Sequence, residues 1–263
     1  MWGFDTIQAP EVWNTFAAQG QPIVAVLDTG VDGSHPELAG RLAGGANTIY
    51  GNTAAQDTDA NGHGTRVAGL VAAAPDNGHG IAGVCFDCRV MPVKVCTDQG
   101  ECPMSAVLNG IIAASDGGAG VVNLSLSLDM GADAQAARHI MGIAVNYAQA
   151  AGALVVASAG NDDEAADNMI PASAPGVLAV GAVDNTDSDT AFTNFGPVVR
   201  IAAPGQSIYS PTAGSAYTRT GGTSLSAAFV SGAAGLLRSA NPGLTQQQLQ
   251  DVLVNTADTI TTP

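Results

Sequence analysis

One stretch decides the fold: Gly221-Gly222-Thr223-Ser224-Leu225-Ser226-Ala227-Ala228-Phe229-Val230-Ser231-Gly232. A glycine pair permits a tight turn, Thr223 or Ser224 can cap the first helical turn, and small residues suit a closely packed surface. The pattern therefore predicts a serine at the start of a buried helix, where free N–H groups favour negative charge. Taken alone, the stretch is better explained as a capped, Ala-rich core helix. A chemical role for Ser224 depends on a base and an orienting carboxylate elsewhere in the chain.

The sequence on both sides of this stretch alternates between strands and helices. Short apolar runs predict buried strands at 22–27, 90–95, 120–126, 153–157, 176–183 and 198–202, and helical patterns cover 63–74, 105–115, 134–150 and 244–255. Repetition of strand, helix and strand predicts a three-layer α/β fold, with a mostly parallel sheet covered by helices on both faces. Because no linker or low-complexity tract divides the chain, we expect residues 1–263 to form a single domain.

The composition restricts the possible partners. Charged residues make up only 12% of the chain, and 23 acidic against 8 basic residues give a formal net charge of -15. This acidity argues against nucleic acid or an anionic membrane as a partner. The sequence has no apolar run long enough to cross a bilayer and no signal-peptide pattern at its start. We therefore expect either a protein that stays inside the cell or one whose sequence begins at a trimmed mature end.

The four cysteines lie close together in the sequence, at Cys85, Cys88, Cys96 and Cys102. Four cysteines allow three pairings, and a cluster of this kind can also bind zinc. Zinc is disfavoured because a second Cys-x-x-Cys is missing and the predicted strand separates the two pairs. We expect a bridge between Cys96 and Cys102 that closes a small loop, and a second bridge between Cys85 and Cys88.

Four polar residues stand at the ends of predicted elements. Asp28 and Asn161 follow strands, whereas His63 and Ser224 begin helices. A serine hydroxyl becomes a good nucleophile when an imidazole takes its proton, and the imidazole in turn needs a carboxylate to orient it. The Asn161 amide and the Ser224 N–H group can donate to a developing oxyanion. Each residue alone fits a turn or a cap, but the set together favours a catalytic site.

The motifs around these residues resemble the subtilisin-like serine proteases, whose Asp, His, Ser order is well known. The similarity extends from Ile7 to the last helix and rests on four motifs: Asp28-Thr29-Gly30-Val31-Asp32, His63-Gly64-Thr65, Ser158-Ala159-Gly160-Asn161 and Gly222-Thr223-Ser224. The resemblance implies hydrolysis of peptide bonds through an acyl-enzyme. Ser224 would be the nucleophile, His63 the general base and acid, Asp28 its orienting carboxylate and Asn161 an oxyanion donor. It also implies a secreted, monomeric enzyme that binds protein or peptide substrates in extended form.

The same resemblance implies a substrate cleft with two walls. The first wall borders the pocket for the residue before the scissile bond, and it comprises Ser125, Leu126 and Ser127. Where the family usually has two glycines, this chain has Ser127 and Leu128, which would narrow or reshape the pocket. The second wall pairs with extended substrate by strand addition. It comprises Gly100, Glu101 and Cys102, with Met104 at an outer subsite, although a methionine is more often core filler.

A structural calcium ion is a further implication of the resemblance. Glu37 and Asn77 match ligand positions of the family. Asp57 and Asp59 belong to a loop with alternating oxygen side chains before a glycine, a pattern that suits a hard cation and equally an ordinary polar loop. The N-terminal arm, which adds a ligand in some relatives, looks short here.

Three rival classes are weaker. An aspartic protease needs a second Asp-Thr-Gly-like triplet, and only one, beginning at Asp28, is present. An α/β-hydrolase needs Gly-x-Ser-x-Gly, and Ser226 replaces the last glycine. The remaining alternative is a catalytically silent binding protein on the same fold, and active-site labelling of Ser224 distinguishes it from an enzyme.

Overall fold

The fold is described by a computed structural model for residues 1–260. The predicted domain continues to residue 263, so its last three positions lie outside the described residues. The strands, in chain order, are β1 Ile23–Asp28, β2 Ala46–Asn47, β3 Arg89–Lys94, β4 Val121–Leu124, β5 Leu128–Asp129, β6 Leu154–Ser158, β7 Met169–Ile170, β8 Val177–Val183, β9 Val199–Pro204, β10 Ile208–Thr212 and β11 Ala216–Thr220.

Seven of these strands form the central sheet, in the order β2-β3-β1-β4-β6-β8-β9. Every neighbouring pair in this sheet is parallel. The central strands β4, β6 and β8 are buried along their whole length, which explains their continuous runs of Val, Ala and Leu. The predicted parallel α/β sheet is confirmed.

The α-helices are α1 Trp2–Thr6, α2 Ala9–Thr15, α3 His63–Ala72, α4 Met104–Asp116, α5 Ala134–Ala150, α6 Thr223–Ala240 and α7 Gln246–Asn255. Alternate side chains of β1 enter two different cores. Val24 and Val26 pack in the cluster that contains residues of α3 and α6, whereas Ala25 and Leu27 pack in the cluster with α4 and α5. The sheet therefore has a helical layer on each face, as predicted.

Some elements differ from the prediction. The last helix was expected from residue 244, but it begins at Gln246 because Thr245 caps it through a capping box with Gln248. The N-terminal helices α1 and α2 and the antiparallel β10–β11 hairpin were not predicted. Helix α1 is anchored by Phe4, whose ring lies edge-on to that of Phe229 at 5.0 Å.

Both predicted disulfides are confirmed: Cys85 is bonded to Cys88, and Cys96 to Cys102. The first bridge is buried between the sheet and α6, and the second closes the exposed loop after β3. Among residues 1–260, no helix has both the length and the apolar character that a membrane span requires.

Candidate active site

The end of β1 and the start of α3 bring a carboxylate and an imidazole together. His63 Nδ1 lies 2.7 Å from Asp28 Oδ1, which also accepts a hydrogen bond from the Thr29 N–H group at 2.8 Å. The Asp28 side chain is only 2% exposed, whereas the His63 ring keeps 31% of its surface open. A hydrogen bond at Nδ1 leaves Nε2 as the nitrogen that can accept a proton from another group.

The first turn of α3 is held by side chains from outside the helix. Its N-cap, Gly62, has no side chain to satisfy the free N–H groups. These groups donate to three oxygens instead: His63 N to Asp59 Oδ2 at 3.2 Å, Gly64 N to Thr29 Oγ1 at 3.0 Å and Thr65 N to Asp57 Oδ2 at 3.0 Å. The carboxylates that resembled calcium ligands thus serve as helix caps.

The Asp57 carboxylate links the segments that carry Asp28 and His63. Its Oδ1 accepts from Thr29 Oγ1 at 2.9 Å, and its Oδ2 accepts from Thr65 Oγ1 at 2.6 Å. Thr29 follows Asp28 directly, and Thr65 is in the same helical turn as His63. Burial raises the pKa of Asp57, with the hydrogen bonds from Thr65 and Thr29 acting against that rise. Asp57 therefore fixes the relative position of Asp28 and His63.

The pKa of His63 reflects the same surroundings. Burial alone would lower this pKa, but the charge of Asp28 and its hydrogen bond outweigh burial, so the net pKa is raised. Arg66 lowers the pKa and Asp57 raises it. The imidazolium form of His63 is therefore stabilised by the residues that orient the ring.

Ser224 lies in the first turn of α6, as predicted, but neither it nor Thr223 is the cap. The N-cap is Gly222, whose φ of 149° lies in a region that only glycine adopts without strain. Ser224 Oγ donates to the Ser125 carbonyl at 3.1 Å. Helices α3 and α6 pack against each other, and Arg66 of α3 reaches Thr220 Oγ1, just before the glycine pair, at 3.5 Å. The start of α6 therefore lies beside the start of α3.

Asn161 is tied to that same start. Its Oδ1 accepts from the Thr223 N–H group at 2.8 Å and from Thr223 Oγ1 at 3.0 Å. A Cβ atom at Gly222 would lie 3.7 Å from Asn161 Nδ2. Because both donors of Thr223 bind the amide oxygen, the amide NH2 group is left to donate elsewhere, next to Ser224.

The predicted substrate-binding residues lie on two segments near these groups. Ser125 is buried, Leu126 is half-buried with its carbonyl accepting from Ser158 Oγ at 3.1 Å, and Ser127 is exposed. On the other segment Gly100 and Glu101 are exposed, Cys102 and Met104 are half-buried, and residues 101–103 are in no strand. The Cys96–Cys102 bridge closes this second segment. This segment is exposed and outside any strand, but Glu101 is bonded within its own loop: its carbonyl accepts from Thr97 N at 2.8 Å, and its N–H group donates to Thr97 Oγ1 at 3.3 Å. Pairing with a substrate strand at Glu101 would have to replace these bonds.

The predicted calcium ligands form two separate pairs, Glu37 with Asn77 and Asp57 with Asp59. Within residues 1–260, no group of three or more His, Cys, Asp or Glu side chains is placed to hold a metal ion. Glu37 is fully buried, and its carboxylate accepts from Ile81 N at 2.7 Å, Asn77 Nδ2 at 2.9 Å and Tyr217 Oη at 3.0 Å. The Asn77 oxygen accepts from His79 N at 2.9 Å, which orients the amide with its NH2 group toward Glu37. Protein donors therefore already bind most of the side-chain oxygens that a calcium ion would need, and in this arrangement the four residues do not fit a calcium site.

A buried lysine occupies the base of the loop that carries Asp57 and Asp59. Lys94 Nζ donates to Thr29 O at 2.6 Å, Thr58 Oγ1 at 3.3 Å and Asp98 Oδ1 at 2.9 Å. Lys94 thus connects Thr29, the residue after Asp28, to the loop that the Cys96–Cys102 bridge closes. The sequence suggested only a buried strand here, because a lysine at the end of an apolar run carries no signal of its partners.

Similarity to known proteins agrees with this geometry. The Subtilase family profile matches residues 19–263, and the chain belongs to that family. Thermitase from Thermoactinomyces vulgaris is 39% identical over 259 residues, which cover 98% of this chain and 88% of thermitase. Subtilisin DY from Bacillus licheniformis is 38% identical over 237 residues, covering 89% and 82% of the two chains.

A solved structure shares the fold as well. The crystal structure of a cold adapted subtilisin-like serine proteinase has a TM-score of 0.80 and 31% identity, and the match covers 92% of this chain and 84% of that one. These relationships make the protein a serine endopeptidase that acts on protein or peptide substrates.

Proposed function

We propose that Ser224, His63, Asp28 and Asn161 carry out this hydrolysis. The observation that supports the assignment is the contact between Asp28 Oδ1 and His63 Nδ1 at 2.7 Å. This pair lies beside the start of α6, which contains Ser224 and whose Thr223 N–H group donates to Asn161 Oδ1. Asp28 fixes the imidazole so that Nε2 faces away from the carboxylate, and it stabilises the charged ring that forms when His63 accepts a proton.

In the proposed reaction the Ser224 hydroxyl first leaves the Ser125 carbonyl. Rotation about its Cα–Cβ bond turns Oγ toward His63 Nε2, which takes the proton as Oγ attacks the substrate carbonyl carbon. Protonated His63 then gives that proton to the leaving amine, and an acyl-enzyme remains. Water attacks this ester as His63 takes its proton, and His63 then gives that proton to Ser224 Oγ as the bond to the acyl carbon breaks and the carboxylic acid product leaves.

Negative charge on the tetrahedral intermediate is stabilised by two donors. The Asn161 NH2 group is one, because its amide oxygen is already held by Thr223. The Ser224 N–H group in the first turn of α6 is the other, since such groups lack an acceptor within the helix. Neither donor has to reorganise as the charge develops.

The substrate is proposed to lie extended between the two walls. Its backbone pairs with residues Gly100 to Cys102, and the side chain before the scissile bond enters the pocket bordered by Ser125, Leu126 and Ser127, with Met104 at an outer subsite. Exposed Leu128 next to this segment favours apolar rather than charged side chains at the pocket entrance.

The setting of the enzyme is also a proposal. Two disulfides support secretion into an oxidising compartment. Because the four proposed catalytic residues come from one chain, a monomer suffices, and both apolar cores lie against one sheet, which supports a single domain. The net charge of -15 supports the absence of nucleic acid partners.

Calcium has no part in the proposed reaction. Asp57 and Asp59 use their oxygens on the start of α3, and Glu37 and Asn77 hold each other, so no step is assigned to a metal. A calcium requirement is a question about stability alone, and chelation tests it.

Active-site labelling tests the assignment. A fluorophosphonate probe forms a covalent bond with an activated serine, and we expect one label per chain, located on Ser224 by peptide mapping. Ser224→Ala should remove the label, whereas Ser127→Ala, which changes an exposed serine in the same cleft, should keep it. No label on the unmodified chain, or a label that survives Ser224→Ala, would contradict the proposal and favour the catalytically silent alternative.

A further inference from the structure

A chain of buried hydrogen bonds leads from the centre of the sheet to Ser224. Asn123 Oδ1 accepts from Ser231 Oγ at 2.8 Å, and Asn123 Nδ2 donates to Ser125 Oγ at 2.9 Å. Ser125 Oγ donates to the Ser224 carbonyl at 2.7 Å. Asn123 and Ser231 are 0% exposed, so these bonds do not compete with bulk water.

The two ends of this chain are on the same helix. Ser231 is two turns along α6 from Ser224, so both face the same side of the helix, toward β4. Asn123 lies in β4, between Val26 of β1 and Val156 of β6. The amide therefore ties α6 to β4, which pairs on either side with the strands that lead to Asp28 and Asn161.

Ser125 makes two contacts with Ser224 and has one proton of its own. Since Asn123 donates to Ser125 Oγ, the Ser125 proton is committed to the Ser224 carbonyl. The Ser125 carbonyl meanwhile accepts from Ser224 Oγ. The orientation of the Asn123 amide thus determines how Ser125 holds both the backbone and the hydroxyl of Ser224.

Packing alone does not require this arrangement. The flanking partners of Asn123 are valines, and apolar side chains of similar volume could replace a fully paired polar group at little cost in stability. A satisfied polar chain instead fixes a unique arrangement of the strand and the helix.

We propose that Asn123 is a positioning residue for the nucleophile: acting through Ser125, and anchored by Ser231, it sets the first turn of α6 so that Ser224 can reach His63. This inference rests on the proposed role of Ser224. It adds a residue that touches neither the substrate nor the reacting atoms.

Asn123→Asp tests the proposal with almost no change in volume. When ionised, the carboxylate accepts from both Ser231 and Ser125, so it takes the Ser125 proton away from the Ser224 carbonyl. Because burial favours the neutral acid, kcat is measured up to a pH of about 9, where the carboxyl group ionises. We expect kcat per titrated active site to fall about tenfold or more, the size of one or two hydrogen bonds, with KM changed less than about twofold. Ser231→Ala removes only the anchor and should lower kcat by about twofold to fivefold.

The decisive comparison is a double-mutant cycle with Ser125→Ala. If Asn123 acts through Ser125, then Asn123→Asp lowers kcat much less in the Ser125→Ala background than in the unmodified enzyme. A purely structural role predicts fewer titratable sites with unchanged kcat per site, or effects that simply multiply, and either result overturns the proposal. Should Asn123→Asp not fold, the same cycle with Ser231→Ala decides. Fluorophosphonate labelling of Ser224 in the unmodified chain is independent of this outcome, so failure of the positioning role and failure of the proposed function are distinguishable.

Discussion

The first turns of α3 and α6 both have backbone N–H groups that no N-cap side chain satisfies, and different kinds of side chain bind these groups in the two helices. Both helices follow a glycine N-cap without a side-chain cap, at Gly62 and Gly222. At α3 the free N–H groups donate to two carboxylates from the preceding loop and to the hydroxyl of Thr29, just after β1. At α6 the Thr223 N–H group donates to a neutral amide, Asn161.

The difference follows the charge that each helix start has to stabilise. In the proposed reaction His63, in the first turn of α3, becomes positive, so fixed carboxylates beside it are favourable. Negative charge would develop on the substrate beside Ser224, in the first turn of α6, so a carboxylate there would repel the intermediate and occupy its donors. Carboxylates with a fixed negative charge lie beside the proposed general base, His63, whereas N–H donors without an acceptor lie beside the proposed nucleophile, Ser224.

The largest effect is expected when a carboxylate replaces the amide at the start of α6. Asn161→Asp keeps the size of the side chain but removes the NH2 donor and adds negative charge, so kcat should fall by at least about 10³-fold, more than for Asn161→Ala. Steady-state kinetics normalised to titrated sites measure the effect. The same chemical change at exposed Asn255 of α7 should leave kcat unchanged, and equal kcat in Asn161→Asp and the unmodified enzyme would refute the oxyanion role.

The converse change removes a carboxylate from α3. Asp57→Asn leaves an NH2 group facing donors of Thr65 or Thr29, so the free energy of unfolding should fall by about 1 to 3 kcal/mol. We also expect kcat to fall by about tenfold, because Asp57 fixes Asp28 relative to His63. Chemical denaturation and kinetics on one preparation give both values. Asp251→Asn, at an exposed carboxylate on α7, is the matched control, and an Asp57→Asn variant with unchanged stability would contradict the capping role.

A pH profile gives a finer measure of the same carboxylates. Protonated His63 cannot accept the Ser224 proton, so kcat/KM should be lost as the pH falls through the His63 pKa. Because this pKa is raised, the loss should begin at a higher pH than for an unperturbed histidine. The negative charge of Asp57 contributes to the rise, so Asp57→Asn should move the midpoint to lower pH by less than about one unit. A midpoint that moves to higher pH would show that the charge of Asp57 is not felt at His63.

The smallest effect is expected from chelation. Since Asp57, Asp59, Glu37 and Asn77 are occupied by protein donors, excess chelator should shift Tm by less than about 1 °C. Thermal unfolding with chelator, and again after calcium is restored, measures this. A drop of several degrees that calcium reverses would show that a metal does stabilise the fold.

Much of the fold could be predicted because buried parallel strands and apolar helices have strong patterns. The boundaries of α5 at Ala134 and Ala150 were predicted to the residue. The β10–β11 hairpin was missed because β10 contains a proline and its buried positions do not alternate, whereas β11 is mostly polar and has no buried residue. Helices α1 and α2 are short and depend on contacts such as Phe4 with Phe229, which sequence periodicity does not reveal.

In the candidate site, too, the sequence revealed some residues and missed others. The sequence pointed to Asp28, His63 and Ser224 because each stands at the end of an element. It did not reveal what supports them, since a carboxylate before a helix reads the same whether it binds a cation or caps N–H groups. The position of Asp57 and Asp59 shortly before His63 was the available signal for capping. The partners of Asn123 and Lys94 come from distant segments and needed the folded chain.

The bridge between Cys96 and Cys102 has a consequence for the lifetime of the enzyme. A protease in solution is also a substrate for its own copies, and the exposed loop between these cysteines is an accessible cleavage point. A cut anywhere from Thr97 to Glu101 leaves both fragments covalently joined. Such a nicked molecule migrates as one 26.1 kDa band until a reductant separates it into two. A non-reducing gel therefore does not detect autolysis in this loop, and the disulfide keeps the two new chain ends close together.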